Sequence, residues 1–334
     1  FYKLEDNGDF VVGNYRSASP FASFLPGIAG VYGIPMWVYY ANRGQCICSF
    51  GVEDKNHAIM EFSPADKAYQ EVAFRGFRTF IKSGGKVTEP FSGSTCCPAD
   101  ETMVIRNDSL TIRNHDNCTG LETEVRYFTI PNENFAALCR KVVIKNISGQ
   151  KTDIEVLDGL AQLIPFGIGH AEYKEISNTL KAWMDVFNLK NGTPFFRVRA
   201  STADTETVDA VTGGFFCVST VNGVPVMPIV DAQLIFGQNT SLSSPDGFIM
   251  SSLDEIKNAR QITSNKVPCA FAPAKAELYK NEALEIRTVI GYLDSVEQLN
   301  AIKDKLCNAQ YFEDKAREND RMLAELLRPV ECKT

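Results

Sequence analysis

The chain has 334 residues, 44% of them hydrophobic, and a formal net charge of −7, so it can bury one large core or two modest ones. Its Lys and Arg are scattered among acids, which argues against a nucleic-acid partner. No run approaches the roughly 18 apolar residues that a membrane-spanning helix needs.

The opening residues, Phe1-Tyr2-Lys3-Leu4-Glu5-Asp6, do not form a basic and then apolar leader, and the missing initial Met reads as a trimmed or excised segment. Next come Gly27, Gly30 and Gly33, which lead into a strand-like run, Pro35-Met36-Trp37-Val38-Tyr39-Tyr40. The Asn42-Arg43-Gly44 turn and a strand over 46–50 follow, with Cys46 and Cys48 two apart and so on one face. Further strands are expected over 57–62, 68–74 and 77–82, then a polar loop over 90–100 and a hairpin pair, 103–106 and 109–113, around Asn107-Asp108. Residues 121–130 alternate, with Glu122, Glu124 and Arg126 opposite Leu121, Val125 and Tyr127. Residues 135–147 and 151–163 look like two long strands joined in a hairpin by Ser148-Gly149-Gln150.

Ile176, Leu180, Trp183, Met184 and Phe187 recur near helical spacing, which allows a helix over 173–187. Strands resume over 195–200, 214–219, 224–230 and 232–236; Pro225 and Pro228 demote the third to an edge or a loop. A short helix over 254–261 and a strand over 284–293 close the β body. Helices over 295–308, capped by Ser295, and 310–328, ended by Pro329, complete the chain. The fold expected is mainly β, a large antiparallel β-sandwich over 1–294 followed by linker helices over 295–334. A helical cap folding back on the sheets is the alternative for the tail.

Ten cysteines with no Cys-x-x-Cys pair, and three histidines (His57, His115, His170), do not write a zinc site. Reduced thiols in a cytosolic protein are expected, and the five Asn-x-Ser/Thr sequons, from Asn107, Asn117, Asn146, Asn191 and Asn239, carry little weight without a leader. There is no Gly-x-Ser-x-Gly elbow and no His-Glu-x-x-His. The glycine repeat at 27–33 is followed by no helix start, so it is not read as a phosphate loop; its glycines let the backbone cross closely over another surface. Asp158 reads as a buried, hydrogen-bonded structural carboxylate, and Glu122 and Glu124 as a solvated strand face. Arg75 and Arg78, flanking Gly76-Phe77, suit either an anion or pairing at the surface or between domains.

Residues 14–82 (NYRSASPFASFLPGIAGVYGIPMWVYYANRGQCICSFGVEDKNHAIMEFSPADKAYQEVAFRGFRTFIK) resemble the N-terminal region of family 94 glycoside phosphorylases, most of all the 1,2-β-oligoglucan phosphorylases. Residues 181–201 (KAWMDVFNLKNGTPFFRVRAS) resemble the same group. The resemblance implies a mutarotase-like supersandwich, linker helices and an (α/α)6 barrel that holds the active site. There inorganic phosphate, the co-substrate, attacks the anomeric carbon of a β-glucosyl unit with inversion, and an Asp of the barrel is the general acid. On this reading the chain stops past its linker helices, at Thr334, and the catalytic Asp and phosphate-binding residues have no matching position.

The expectation is therefore a noncatalytic front domain with no cofactor or metal, located in the cytoplasm. Its partners would be a helical-barrel domain in the same or a companion chain and a β-glucooligosaccharide, with a homodimer left open. Tyr15, Arg16, Trp37, Tyr40, Arg43, Arg75 and Arg78 are the candidates for the substrate-cleft rim or the interdomain contact; Trp37 and Tyr40, three apart, face opposite sides of one strand. Two alternatives stand beside it, a free-standing carbohydrate-binding module and a complete mutarotase-like enzyme.

Overall fold

The computed structural model describes residues 1–93, 100–202, 206 and 210–328. Cys96, Cys97, Pro329, Cys332 and most of the loop read over 90–100 lie outside the described residues. In chain order the strands are β1 (Tyr2–Leu4), β2 (Phe10–Gly13), β3 (Ala22–Leu25), β4 (Met36–Ala41), β5 (Ile47–Val52), β6 (Ala58–Met60), β7 (Phe77–Ser83), β8 (Lys86–Thr88), β9 (Asp100–Ile105) and β10 (Ser109–Asp116). They continue as β11 (Leu121–Thr129), β12 (Ala136–Asn146), β13 (Thr152–Leu160), β14 (Met184–Phe187), β15 (Phe195–Val198), β16 (Gly214–Val221), β17 (Val224–Val226), β18 (Ala270–Leu278) and β19 (Ala283–Leu293). The helices are α1 (Ala65–Arg75), α2 (His170–Leu180), α3 (Ala232–Phe236), α4 (Asp246–Met250), α5 (Leu253–Asn258), α6 (Val296–Cys307) and α7 (Ala309–Leu327).

Alternating side chains make a two-layer β-sandwich. One layer is a large antiparallel sheet, β1-β2-β9-β10-β11-β12-β19-β16-β15-β14, with β17 beside β16. Two four-stranded sheets, β18-β13-β7-β8 and β3-β4-β5-β6, share in the core that faces it. On β12, Ala136, Leu138, Val142 and Ile144 enter the core between the layers. Ala137 and Cys139, one residue out of phase, face the other way and pack under Leu299, Leu306, Phe312 and Ala316 of α6 and α7. The two terminal helices thus cover part of the outer face of the large sheet. Ser295 caps α6 by accepting from the Gln298 N–H, and Asn308 caps α7 by accepting from Gln310.

Several expectations need correction. The segment over 68–74 is not a strand: Ala68 and Val72, one turn apart, pack against Tyr39 and Cys48 and make it part of α1. The segment over 232–236 is α3, started by Asp231, which accepts from the Gln233 N–H, and ended at Gly237 with φ +59. The helical reading over 173–187 divides, because α2 ends at Leu180 and Met184–Phe187 is β14, paired with β15. Cys46 and Cys48 do not share a face. A positive φ at Cys46 and a bulge opposite Tyr39/Tyr40 send Cys46 into the main core and Cys48 under α1.

Ser148-Gly149-Gln150 does not close a hairpin either. β12 pairs with β11 and β19 in the large sheet, whereas β13 pairs with β7 and β18 in the facing one. The strands β12–β13 and β18–β19 form one antiparallel ribbon folded over between the layers, and Asn146 clamps the fold. Its Nδ2 donates to the Gln150 and Leu278 carbonyls at 2.7 and 2.8 Å, and its Oδ1 accepts from Ser148 N–H.

Six described cysteines (46, 48, 139, 217, 269, 307) are free thiols. Cys118 is disulfide-bonded, so the reduced-thiol expectation fails there. No helix among the described residues is long and apolar enough to cross a membrane.

Candidate functional site

The seven candidate residues do not form one surface. Tyr15 sits in a short 3-10 turn (Tyr15–Ser17), fully buried, and its hydroxyl donates to the Gly44 carbonyl at 2.5 Å. Arg16 beside it donates through Nε to the buried Glu101. Arg43 donates to the Asn42 carbonyl at 2.7 Å and lies over the Tyr69 ring. Tyr15, Arg16 and Arg43 are thus gathered around the β4–β5 turn, which Asn42 ties down by donating to the Tyr15 carbonyl at 2.8 Å.

Trp37 and Tyr40 do point to opposite sides of β4. Tyr40 is in the core, and half-buried Trp37 packs edge-on against Phe62 and donates Nε1–H to the Asp54 carbonyl at 3.0 Å. Arg78 is only 2% exposed. It donates to both oxygens of Glu89, at 2.6 and 2.7 Å, and stacks over Phe80. A buried guanidinium held this way orders the interior and is closed to a sugar. Asp158 is also internal, bound to Arg140 and Thr79.

The segment between β3 and β4 forms a projecting loop. Gly30 adopts φ +77, and a Cβ there would fall 1.9 Å from the Asn132 side-chain oxygen. Asn132 N–H donates to the Ala29 carbonyl at 2.7 Å, and its Nδ2 donates to Glu318 on α7 at 2.6 Å. Lys315 of α7 reaches the Pro131 carbonyl at 2.9 Å, and Asn319 reaches Thr129 at 2.9 Å. The loop is therefore fixed against the second half of α7. At its tip Val31 and Tyr32 are 88% and 82% exposed, and Leu326, one helical turn beyond the Met322 that Gly30 approaches, is 63% exposed. The glycines lead into β4 rather than a helix, as a close-crossing loop requires.

A second feature is the cleft between α1 and α2, of about 360 Å³, lined by Glu61, Lys67, Arg75, Gln162, Tyr173, Lys174, Asn178 and Lys181. Lys67 and Arg75 are balanced by Glu61 and Glu71, at 3.3 to 3.9 Å. Burial pushes the Tyr173 phenol up, so it stays a neutral donor. Burial, helped by Lys174 and Lys55, holds His170 below its ordinary value. Past Gln162, Lys181 and Val267 the cleft continues into another of about 310 Å³ beside α3. Of the seven candidates only Arg75 lines it. No sequence pattern links Gln162 to Tyr173, Lys174 and Lys181 as one site; the fold assembles them. Among the described residues no cluster of His, Cys, Asp and Glu has the make-up of a metal site.

No family model matches the chain, and no curated protein matches it. Among solved structures it is similar to "Polysaccharide Lyase BACCELL_00875" (9% identity, TM-score 0.40, covering 81% of this chain and 34% of that one). It is also similar to a "Putative kojibiose phosphorylase from human microbiome" (8%, TM-score 0.39, 92% and 31%) and to a bacterial glucoamylase complexed with acarbose (11%, TM-score 0.42, 88% and 36%). The chain spans about a third of the length of these structures. At such identities and TM-scores none of them assigns an activity.

Proposed function

We propose that the chain is the noncatalytic front sandwich of an inverting β-glucan phosphorylase of the 1,2-β-oligoglucan type, and that it docks on a helical-barrel catalytic domain in the same or a companion chain. Residues 14–82 and 181–201 support the family, and one structural observation carries the docking role. The exposed apolar tip, Val31 and Tyr32, is pinned to α7 through Asn132 and is accompanied on the same helix by exposed Leu326. A rigid apolar projection of this kind suits burial against a second body.

In this reading the barrel supplies the general acid and binds inorganic phosphate and the β-glucooligosaccharide, while this chain orients the barrel. Arg16, Trp37, Arg43 and Arg75 keep surface that a rim can use. Tyr15, Tyr40 and Arg78 hold the turn and the sheets from inside. A homodimer through the same projection is compatible with this role. The cytoplasmic expectation loses ground at Cys118, because disulfides are rare in reducing compartments.

The test incubates β-1,2-glucooligosaccharides and phosphate with this chain alone, and with a protein that carries both this region and a helical barrel. The expected result is glucose 1-phosphate from the second only. Release by the 334-residue chain alone would sink the proposal.

A further inference from the structure

The α1–α2 cleft holds polar groups that the fold itself does not use. Gln162 is half-buried and lines this cleft and both spaces that adjoin it. Its backbone N–H donates to Arg75, but among the described residues its side-chain amide has no hydrogen-bond partner. The Tyr173 hydroxyl, on the same wall, has none either. Lys174 and Lys181 have no carboxylate within ion-pair distance among the described residues; Lys181 reaches only the Asn178 amide oxygen, at 3.1 Å. The opposite wall is neutral overall, since Lys67 and Arg75 are matched by Glu61 and Glu71. A surplus of positive charge therefore stands over an unpaired amide and phenol, in a chain whose net charge is −7.

Each of these groups asks for a particular partner. A side-chain amide offers two donors and an acceptor in one plane, which matches adjacent hydroxyls. A tyrosine offers a hydroxyl and an apolar ring for the C–H face of a sugar. Two ammonium groups ask for a carboxylate or phosphate, with charge-assisted hydrogen bonds. The volume lies within the range usual for small-ligand clefts.

We infer that the α1–α2 cleft binds an anionic saccharide, its charge on Lys174 and Lys181 and its hydroxyls on Gln162 and Tyr173. This inference does not rest on the phosphorylase reading. The negative charge has two chemical sources, a uronic-acid residue or a sugar phosphate.

Calorimetric titration of the 334-residue chain compares an oligogalacturonide, glucose 1-phosphate, a neutral β-1,2-glucooligosaccharide and inorganic phosphate. At least one of the two anionic sugars binds, more weakly as salt rises, and the tighter one identifies the source of the charge. The Lys174→Ala/Lys181→Ala double variant loses about tenfold or more in affinity, about 1.4 kcal/mol per tenfold. Gln162→Ala also weakens binding, whereas Lys151→Ala/Lys275→Ala, on exposed lysines away from the cleft, leaves it unchanged. Lys174 and Lys181 are both exposed, so unchanged melting of the double variant separates lost binding from lost fold. Four results each overturn the inference: no saccharide binds, the neutral glucan binds equally well, phosphate alone binds as tightly as the sugars, or the double variant binds like the parent.

Discussion

Arg140 on β12 and Asp158 on β13 pair with each other across the sealed interior of the sandwich, 1% and 0% exposed. Thr79 donates to the other oxygen of Asp158 at 2.6 Å, Gln45 donates to Thr79 at 2.9 Å, and Arg140 also reaches Gln45 and Tyr127. Four strands from two sheets, and the β4–β5 turn of the third, meet in this one network. Removing one partner strands a buried charge, so Asp158→Asn or Arg140→Met is expected to cost about 3–5 kcal/mol. Replacing both by apolar residues of similar size recovers much of that loss. Urea unfolding of the two single variants and the double variant measures it, and singles as stable as the parent would refute the assignment.

Substitutions in the projecting loop separate folding from docking. Tyr32→Ser with Val31→Ser leaves the melting temperature of this chain unchanged, because both side chains already face solvent. The same pair weakens association with a helical-barrel domain, if that domain is the partner proposed above. Gly30→Ala behaves in the opposite way, costing upward of about 1 kcal/mol on its own, since the positive φ and the Asn132 side chain leave no room for a Cβ. Thermal melts and analytical ultracentrifugation read the two effects apart.

Acid should loosen α7 first. Burial tends to raise Glu133, yet the ammonium groups of Lys305 and Lys315 more than offset it and hold the carboxyl below its ordinary value of 4.5. Glu318 is held down likewise, against burial, by Asn132 and Lys315. Carboxylates with lowered folded pKa contribute stability that is complete above the unfolded value and is lost as pH falls through the folded one. Melting temperatures followed by circular dichroism should therefore drop below about pH 4.5. Glu133→Gln should flatten part of that drop, and an unchanged profile would remove these pairs from the account.

The thiols offer an order of reactivity. Burial pushes Cys48, Cys139 and Cys217 up to about 12, so little thiolate forms near neutrality. Half-buried Cys307 is raised as well but is more accessible. Brief iodoacetamide treatment of the native protein, read by mass spectrometry, should label Cys307 ahead of the other five. Labelling of Cys139 or Cys217 at the same rate contradicts the packing described.

The strand alternation over 121–130 and the capped helices after Ser295 were legible because each pattern is local and each is satisfied by its own residues. The helix α1 was hidden by β-forming side chains such as Tyr69, Val72 and Phe74, although Ala68 and Val72 mark the buried face. At α3 the signal was present, an Asp cap before and a glycine after, but the apolar run between them also suits a strand. The link at 148–150 misled because a short turn looks alike whether its strands pair together or cross to the facing layer. Tertiary pairing decides which, and β12 prefers β19. The α1–α2 cleft was illegible for a related reason: Gln162 and Lys181 flank α2 while Arg75 comes from α1, and no spacing links them.

The folded ribbon also sets an order of events during synthesis. β12 and β13 find their partners only in β19 and β18 on one side, so residues 136–160 must wait for residues 270–293 before the middle of either layer can close. Pairing over such a span is slow to nucleate. A nascent chain halted anywhere in that interval would hold the edges of β12 and β13 open to other chains. Asn146, which staples the bend to both the early and the late strand, is then among the last contacts to form.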